Sequence, residues 1–111
     1  MTNAKMFISK FGNSRRDNII FTLDAGESAP CHFKENGNDT ATDKYWNLGS
    51  EAKRVNILPD IVATMTHINN QELKSPRTLT VGGTSFREGI EWKTITVRAD
   101  QDSTTFEIYA S

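Results

Sequence analysis

Trp92-Lys93-Thr94-Ile95-Thr96-Val97-Arg98-Ala99, then Asp100-Gln101-Asp102-Ser103, then Thr104-Thr105-Phe106-Glu107-Ile108-Tyr109-Ala110: the reading of this stretch decides the fold class. In the first run Lys93, Ile95, Val97 and Ala99 share one face, while Trp92, Thr94, Thr96 and Arg98 share the other. Period-two alternation in residues rich in Thr, Ile and Val specifies a strand with one buried face. The last run repeats it, with Phe106, Ile108 and Ala110 on one side. The Asp-Gln-Asp-Ser cluster between them is turn chemistry, so the pair is expected to close the chain as a C-terminal β-hairpin.

Working outward, the same pattern recurs. Lys5 to Phe11 is a strand candidate, followed by the turn-rich Gly12-Asn13-Ser14-Arg15-Arg16-Asp17. Asn18 to Asp24 alternates Ile19, Phe21 and Leu23 against Ile20 and Thr22. Ala25-Gly26-Glu27-Ser28 turns the chain, and Cys31 to Lys34 reads as a short strand. Residues 35–43 carry no apolar side chain larger than alanine and read as an exposed loop. Tyr45 to Leu48, Arg54 to Leu58 and Thr78 to Val81 are further strands, the last closed by Gly82-Gly83. Leu58 to Ile68 carries two patterns at once. Leu58, Ile61, Val62, Met65 and Ile68 have helical spacing, yet the segment is β-branched. Its setting among strands favours strand, although alternation leaves His67 on the wrong face. The expectation is an all-β chain: one antiparallel β-sandwich or small barrel over 1–111, of about seven to nine short strands.

Composition narrows the function. The chain has 111 residues, one domain's worth, with 13 basic and 14 acidic side chains and a net charge of −1. A dominant basic field for nucleic acid or an anionic membrane is absent; Arg15, Arg16, Lys53, Arg54, Arg77 and Arg87 are dispersed among acids. Nucleic acid is not an expected partner. Thirteen Thr, nine Asn and eight Ser set the polar character, with Thr in the strand patterns and Asn and Ser mostly in loops. No stretch approaches the roughly 20 apolar residues of a transmembrane helix. The apolar stretch near the N-terminus is broken by Lys10 and is too short for a signal-peptide core. A cytoplasmic location is expected, or export without a recognisable signal peptide. Cys31 is the single cysteine, so no internal disulfide is expected.

Motifs for chemistry are lacking. There is no nucleophile elbow, no His-Glu-x-x-His and no phosphate-cradling glycine loop. Cys31 and His32 are neighbours, which on a strand places their side chains on opposite faces. The loop Asn36-Gly37-Asn38-Asp39-Thr40-Ala41-Thr42-Asp43 and the pair Asp100 and Asp102 offer oxygens to calcium, but ordinary turn chemistry uses the same residues. No metal, cofactor or catalytic set is assigned.

The aromatics are more suggestive. Tyr45 and Trp46 are adjacent, so on a strand one is core and the other outward. An exposed ring beside Asn, Asp and Arg suits a sugar: the ring packs on the apolar face and the polar groups bond the hydroxyls. Trp46 with Asn36, Asn38, Asp39 and Asp43 forms one candidate ligand site. Trp92 with Arg98, on the polar face of its strand, forms a second. The pairs Thr64/Thr66, Thr78/Thr80 and Thr94/Thr96 predict uncharged sheet faces that could meet another copy without stranding charge. The leading expectation is a non-enzymatic, lectin-like recognition domain binding a glycan or another surface ligand. The alternatives are a structural protein that self-associates through Thr-rich faces, or an inhibitor presenting its loops to a partner protein.

Overall fold

The computed structural model describes residues 18–86 and 91–111. The expected strand at Lys5–Phe11 and the turn at 12–17 lie outside them. Within them the chain forms nine strands: β1 Asn18–Leu23, β2 Ser28–His32, β3 Lys44–Tyr45, β4 Val55–Pro59, β5 Ala63–Ile68, β6 Gln71–Leu79, β7 Thr84–Phe86, β8 Thr94–Arg98 and β9 Thr104–Ala110. They form a four-stranded sheet, β1-β9-β4-β7, and a five-stranded sheet, β3-β2-β8-β5-β6. The all-β sandwich is therefore the architecture. Apart from the two-residue β3, the strand order is that of a jelly roll, in which the chain repeatedly leaves one sheet for the other.

The terminal hairpin is not formed. β8 pairs with β2 and β5, whereas β9 pairs with β1 and β4 in the opposite sheet. Residues 99–103 therefore arch across the sandwich. The β1–β2 connection arches beside them, and the two are hydrogen-bonded together. Gly26 N donates to Ala99 O (2.8 Å), Ala99 N to Glu27 O (3.0 Å), Ala25 N to Asp102 Oδ1 (3.0 Å) and Ser103 N to Asp24 Oδ1 (3.0 Å). Gly26 sits at φ +86°, a conformation that glycine adopts without steric cost. Asp100 is engaged as well, by Thr64 Oγ1 (2.6 Å) and Arg98 Nε (3.1 Å). The carboxylates that offered oxygens to a cation instead satisfy the arches.

The pairing of β2 with β3 is parallel, a second departure from the expected antiparallel set. It covers only Cys31↔Lys44 and His32↔Tyr45. Pro30 lies beyond its reach, where β2 has only β8 beside it, a tolerable place for a residue without an N–H.

The ambiguous segment is strand from Ala63 onward, after a turn at 60–62. Against β6 the single residue Thr66 spans residues 73–76, whereas against β8 the register shifts the opposite way between Met65 and His67, so Thr66 is an extra residue on β5. That bulge turns His67 outward opposite Thr96 and Ile68 inward opposite Ile95. It accounts for the misplaced histidine in the simple alternation. Asn69 and Asn70, both at positive φ (50° and 66°), make the tight turn into β6, as expected of a type I′ hairpin. β6 begins at Gln71, before the expected Thr78, because its polar residues Gln71 to Arg77 show no apolar alternation. It is an edge strand, and its Glu72, Lys74, Pro76 and Arg77 discourage pairing with another chain.

The core lies between the sheets. Phe21 stacks on Phe106 (5.4 Å between ring centroids), and Phe86 of the four-stranded sheet meets Trp92, at the entry to β8, edge to face (5.3 Å). Ile57, Met65, Leu79, Ile95, Val97 and Ile108 fill the space between them. Of the Thr-rich pairs, Thr66 and Thr94 are buried, Thr64 and Thr96 are half-buried, and Thr78 and Thr80 are exposed. Among the described residues no helix is long and apolar enough to cross a membrane.

Candidate functional site

The loop between β2 and β3 holds itself in shape. Asp39 Oδ1 accepts from Tyr45 N (2.9 Å), Thr40 Oγ1 accepts from Asp43 N (2.9 Å), and Asp43 O accepts from Thr40 N (2.9 Å). Asn47, at φ 57°, clamps Gly37 from both sides: its Oδ1 accepts from Gly37 N (2.8 Å) and its Nδ2 donates to Gly37 O (3.3 Å). Asp39, which accepts from Tyr45 N, and Asp43, whose Oδ1 accepts from Thr42 Oγ1 (3.2 Å), serve as local acceptors for the loop, as Asx side chains commonly do. Asn36 and Asn38 are exposed beside them. Among the described residues no three His, Cys, Asp or Glu side chains are grouped to hold a metal ion.

The aromatic at the centre of the expected site faces the other way. Trp46 is fully buried, edge to face with Phe33 (5.0 Å), and its Nε1 has no hydrogen-bond partner among the described residues. It cannot offer a ring to a sugar. Tyr45 takes the outward position, where its ring stacks on His32 (4.6 Å) and packs against Gly37. A Cβ on Gly37 would lie 2.7 Å from Tyr45 Cε2. Burial, with the nearby carboxylates of Asp43 and Glu35, raises the Tyr45 phenol above its ordinary pKa. Trp92 is also buried, and its backbone bridges to Ala52 in both directions (2.9 Å each). Its indole N–H, too, has no partner among the described residues. Both indoles fill the core because sandwich ends must be closed and these are its largest apolar side chains.

The remaining expected residues are not gathered. Arg98 pairs with Asp100 and lies opposite Ser28, at the far end of β2 from His32 and the 36–43 loop. That is four residues of strand, about 13 Å at roughly 3.4 Å each. His32 Nε2 lies 3.4 Å from Asp43 Oδ2, and its Nδ1 is 3.8 Å from Glu35 Oε1. Cys31 points inward from the neighbouring position, fully buried, and desolvation pushes its thiol far up, so it is an inert core residue.

An exposed aromatic with polar neighbours does exist, on the outer face of the four-stranded sheet. Tyr109 is 42% exposed, the one described aromatic with so open a ring. On β4, opposite it, stands Asn56, which in turn faces Ser85 on β7. Ser85 Oγ donates to Asn56 Oδ1, and the Asn56 amide N–H groups have no acceptor among the described residues. Arg54 stands two residues before Asn56 on the same face and lines the shallow grooves on both sides of it. Tyr109 Oη donates to Glu107 Oε2 (2.6 Å). The hydrogen bond to that carboxylate raises the phenol's pKa. The signal for Tyr109 was present in the alternation of Thr104–Ala110, which puts it opposite Phe106, Ile108 and Ala110. Attention to the larger indoles passes it over.

Comparison of the chain with family models, curated proteins and solved structures finds no match, so a functional reading rests on this geometry alone.

Proposed function

We propose that the protein is a non-enzymatic recognition domain of lectin type. The supporting observation is the exposed Tyr109 ring flanked by Asn56, Ser85 and Arg54 on a sheet face. The ring provides a flat apolar surface for the CH face of a pyranose, and the amide and guanidinium provide donors for its oxygens. Carrying these groups on strands gives a more fixed constellation than a loop would. The loop 36–43, with Asn36 and Asn38 exposed at its surface, borders a separate part of the molecule and is not needed by this reading. The jelly roll itself does not choose, since lectin and capsid domains share it.

A glycan array probed with the purified protein tests the reading. Binding that is lost in Tyr109→Ala, with unchanged thermal unfolding, supports it; an array on which the intact protein binds nothing overturns it.

A second reading, self-association, is favoured by one observation. The stretch Pro30–Thr96–His67 on the outer face of the five-stranded sheet is free of carboxylate, lysine and arginine up to Glu72, which faces His67 from the edge strand β6, so burying those three positions adds no such charge of their own. Mass by light scattering decides it: a monomer at high concentration removes it.

A further inference from the structure

We infer that the Tyr109 groove takes an acidic sugar, one whose ring bears a carboxylate, with Arg54 as the residue that selects it. This rests on the recognition reading above and deepens it. Arg54 lines both grooves flanking Asn56, and among the described residues no carboxylate lies within ion-pair distance of its guanidinium. On the other sheet, by contrast, Arg98 pairs with Asp100. Among the described residues, none of the other side chains lining these grooves carries a charge, and Ser85 donates its hydroxyl hydrogen bond to Asn56. That end of the groove is therefore rich in donors, with a planar guanidinium fork and an amide N–H pair. A carboxylate accepts only, and its two oxygens match the fork in bidentate geometry.

The far side of Tyr109 has the opposite polarity. Arg54 and Ser111 exchange backbone hydrogen bonds (Arg54 N to Ser111 O, 3.1 Å; Ser111 N to Arg54 O, 3.0 Å), whereas Glu107 lies opposite Leu58. Leu58 lies four positions along the chain from Arg54, about 13 Å. Glu107 thus stands on the far side of Tyr109 from Arg54, outside the groove lining, where it accepts the phenol's hydrogen bond. A sugar ring stacked on Tyr109 meets the donors at its Arg54 edge, with the acceptor Glu107 lying beyond the groove on the far side of the ring. A neutral sugar leaves the guanidinium with hydroxyls only.

The test is an array of glycans ending in uronate or sialate residues, printed beside the same glycans with their carboxyls methyl-esterified. The acids are expected to bind at least about tenfold better than their esters, the size of effect given by a charge-assisted hydrogen-bonded pair. Arg54→Gln should bring the ratio to about one, and Arg54→Lys should leave it intermediate, because a point charge replaces the fork. Arg54 is exposed, so neither change threatens the fold. Esters bound as well as acids, or a ratio that survives Arg54→Gln, overturns the acidic-sugar inference while leaving recognition by Tyr109 standing. No binding to either set, or to neutral glycans, overturns both.

Discussion

The side-chain oxygen of Asn69 accepts two backbone hydrogen bonds from the entry to β8, from Lys93 N (2.8 Å) and Thr94 N (3.2 Å). Its own N–H donates to Thr94 O (2.8 Å), and its amide nitrogen donates to Glu91 O (3.2 Å). One turn residue thus ties the tip of the β5–β6 hairpin to the strand at the centre of the five-stranded sheet. This is a tertiary clamp made by an asparagine that the turn also needs for its positive φ.

Asn69→Ala should therefore destabilise the fold by about 1–3 kcal/mol, since backbone donors lose their acceptor and alanine resists φ > 0. Asn69→Asp keeps the acceptor oxygen and should cost less. Urea unfolding of the two variants decides it; equal losses would mean the accepted bonds contribute nothing.

Trp46 offers a sharper check on its placement. With the indole fully buried against Phe33, Trp46→Ala should cost about 3–5 kcal/mol. Trp46→Phe should cost clearly less than Trp46→Ala, because it keeps aromatic bulk and removes a buried N–H that has no partner. Thermal unfolding measures both, and an unchanged midpoint in Trp46→Ala would place the ring outside the core.

Gly37→Ala inserts a methyl group where the Tyr45 ring already lies. The ring must move, which breaks its stacking on His32 and loosens the loop, at a cost of about 1–3 kcal/mol for overpacking. Proton NMR should show the His32 ring resonances leaving their shielded positions, and unperturbed shifts would contradict the contact.

The phenol of Tyr109 titrates above its ordinary value of 10.0 because it donates to the Glu107 carboxylate. A folded-state pKa above the unfolded one favours the protonated phenol in the native state. The associated stabilisation is present below the unfolded value and is lost as pH rises through the folded one, so its window is strongly alkaline. Ultraviolet titration should show one tyrosinate forming earlier in Glu107→Gln than in the unaltered protein. Coincident curves would remove the hydrogen bond as the cause. Beside the groove, the same change removes the carboxylate charge while keeping an amide oxygen that can accept, and leaves Arg54 untouched.

Much of the fold was legible in particular residues. Ile19, Phe21 and Leu23 alternate in the sequence and alternate in burial, as do Phe106, Ile108 and Ala110. Where alternation failed, the failure had a structural cause. His67 fell on the wrong face because Thr66 is an inserted residue, and a bulge is not visible in a periodic pattern. Residues 71–77 were unreadable because an exposed edge strand guards itself with charge and proline and so resembles a loop. The candidate site was harder. Alternation required Tyr45 and Trp46 to face opposite ways but did not say which was buried. The larger and less polar indole took the core, and the expected sugar platform went with it. Arg54, Asn56 and Tyr109 come from strands far apart in the chain, so only β4–β9 pairing brings them together.

The sequence by itself determined that Thr94–Arg98 and Thr104–Ala110 are strands and that Ile95, Val97, Phe106, Ile108 and Ala110 face the core, while alternation misplaced Lys93 inward and Trp92 and Thr94 outward at the entry to β8. Tertiary structure alone decided that the two strands lie in opposite sheets. The physical reason lies in the period of the strand. Alternation specifies that one face is apolar, and that requirement is met equally by a neighbour beside the strand or by one stacked across the core. The choice was made by Asp24, Ala25, Gly26 and Glu27, residues distant in sequence from both strands, whose hydrogen bonds to Ala99, Asp102 and Ser103 lock the two arches together. No local pattern in either strand contains that information.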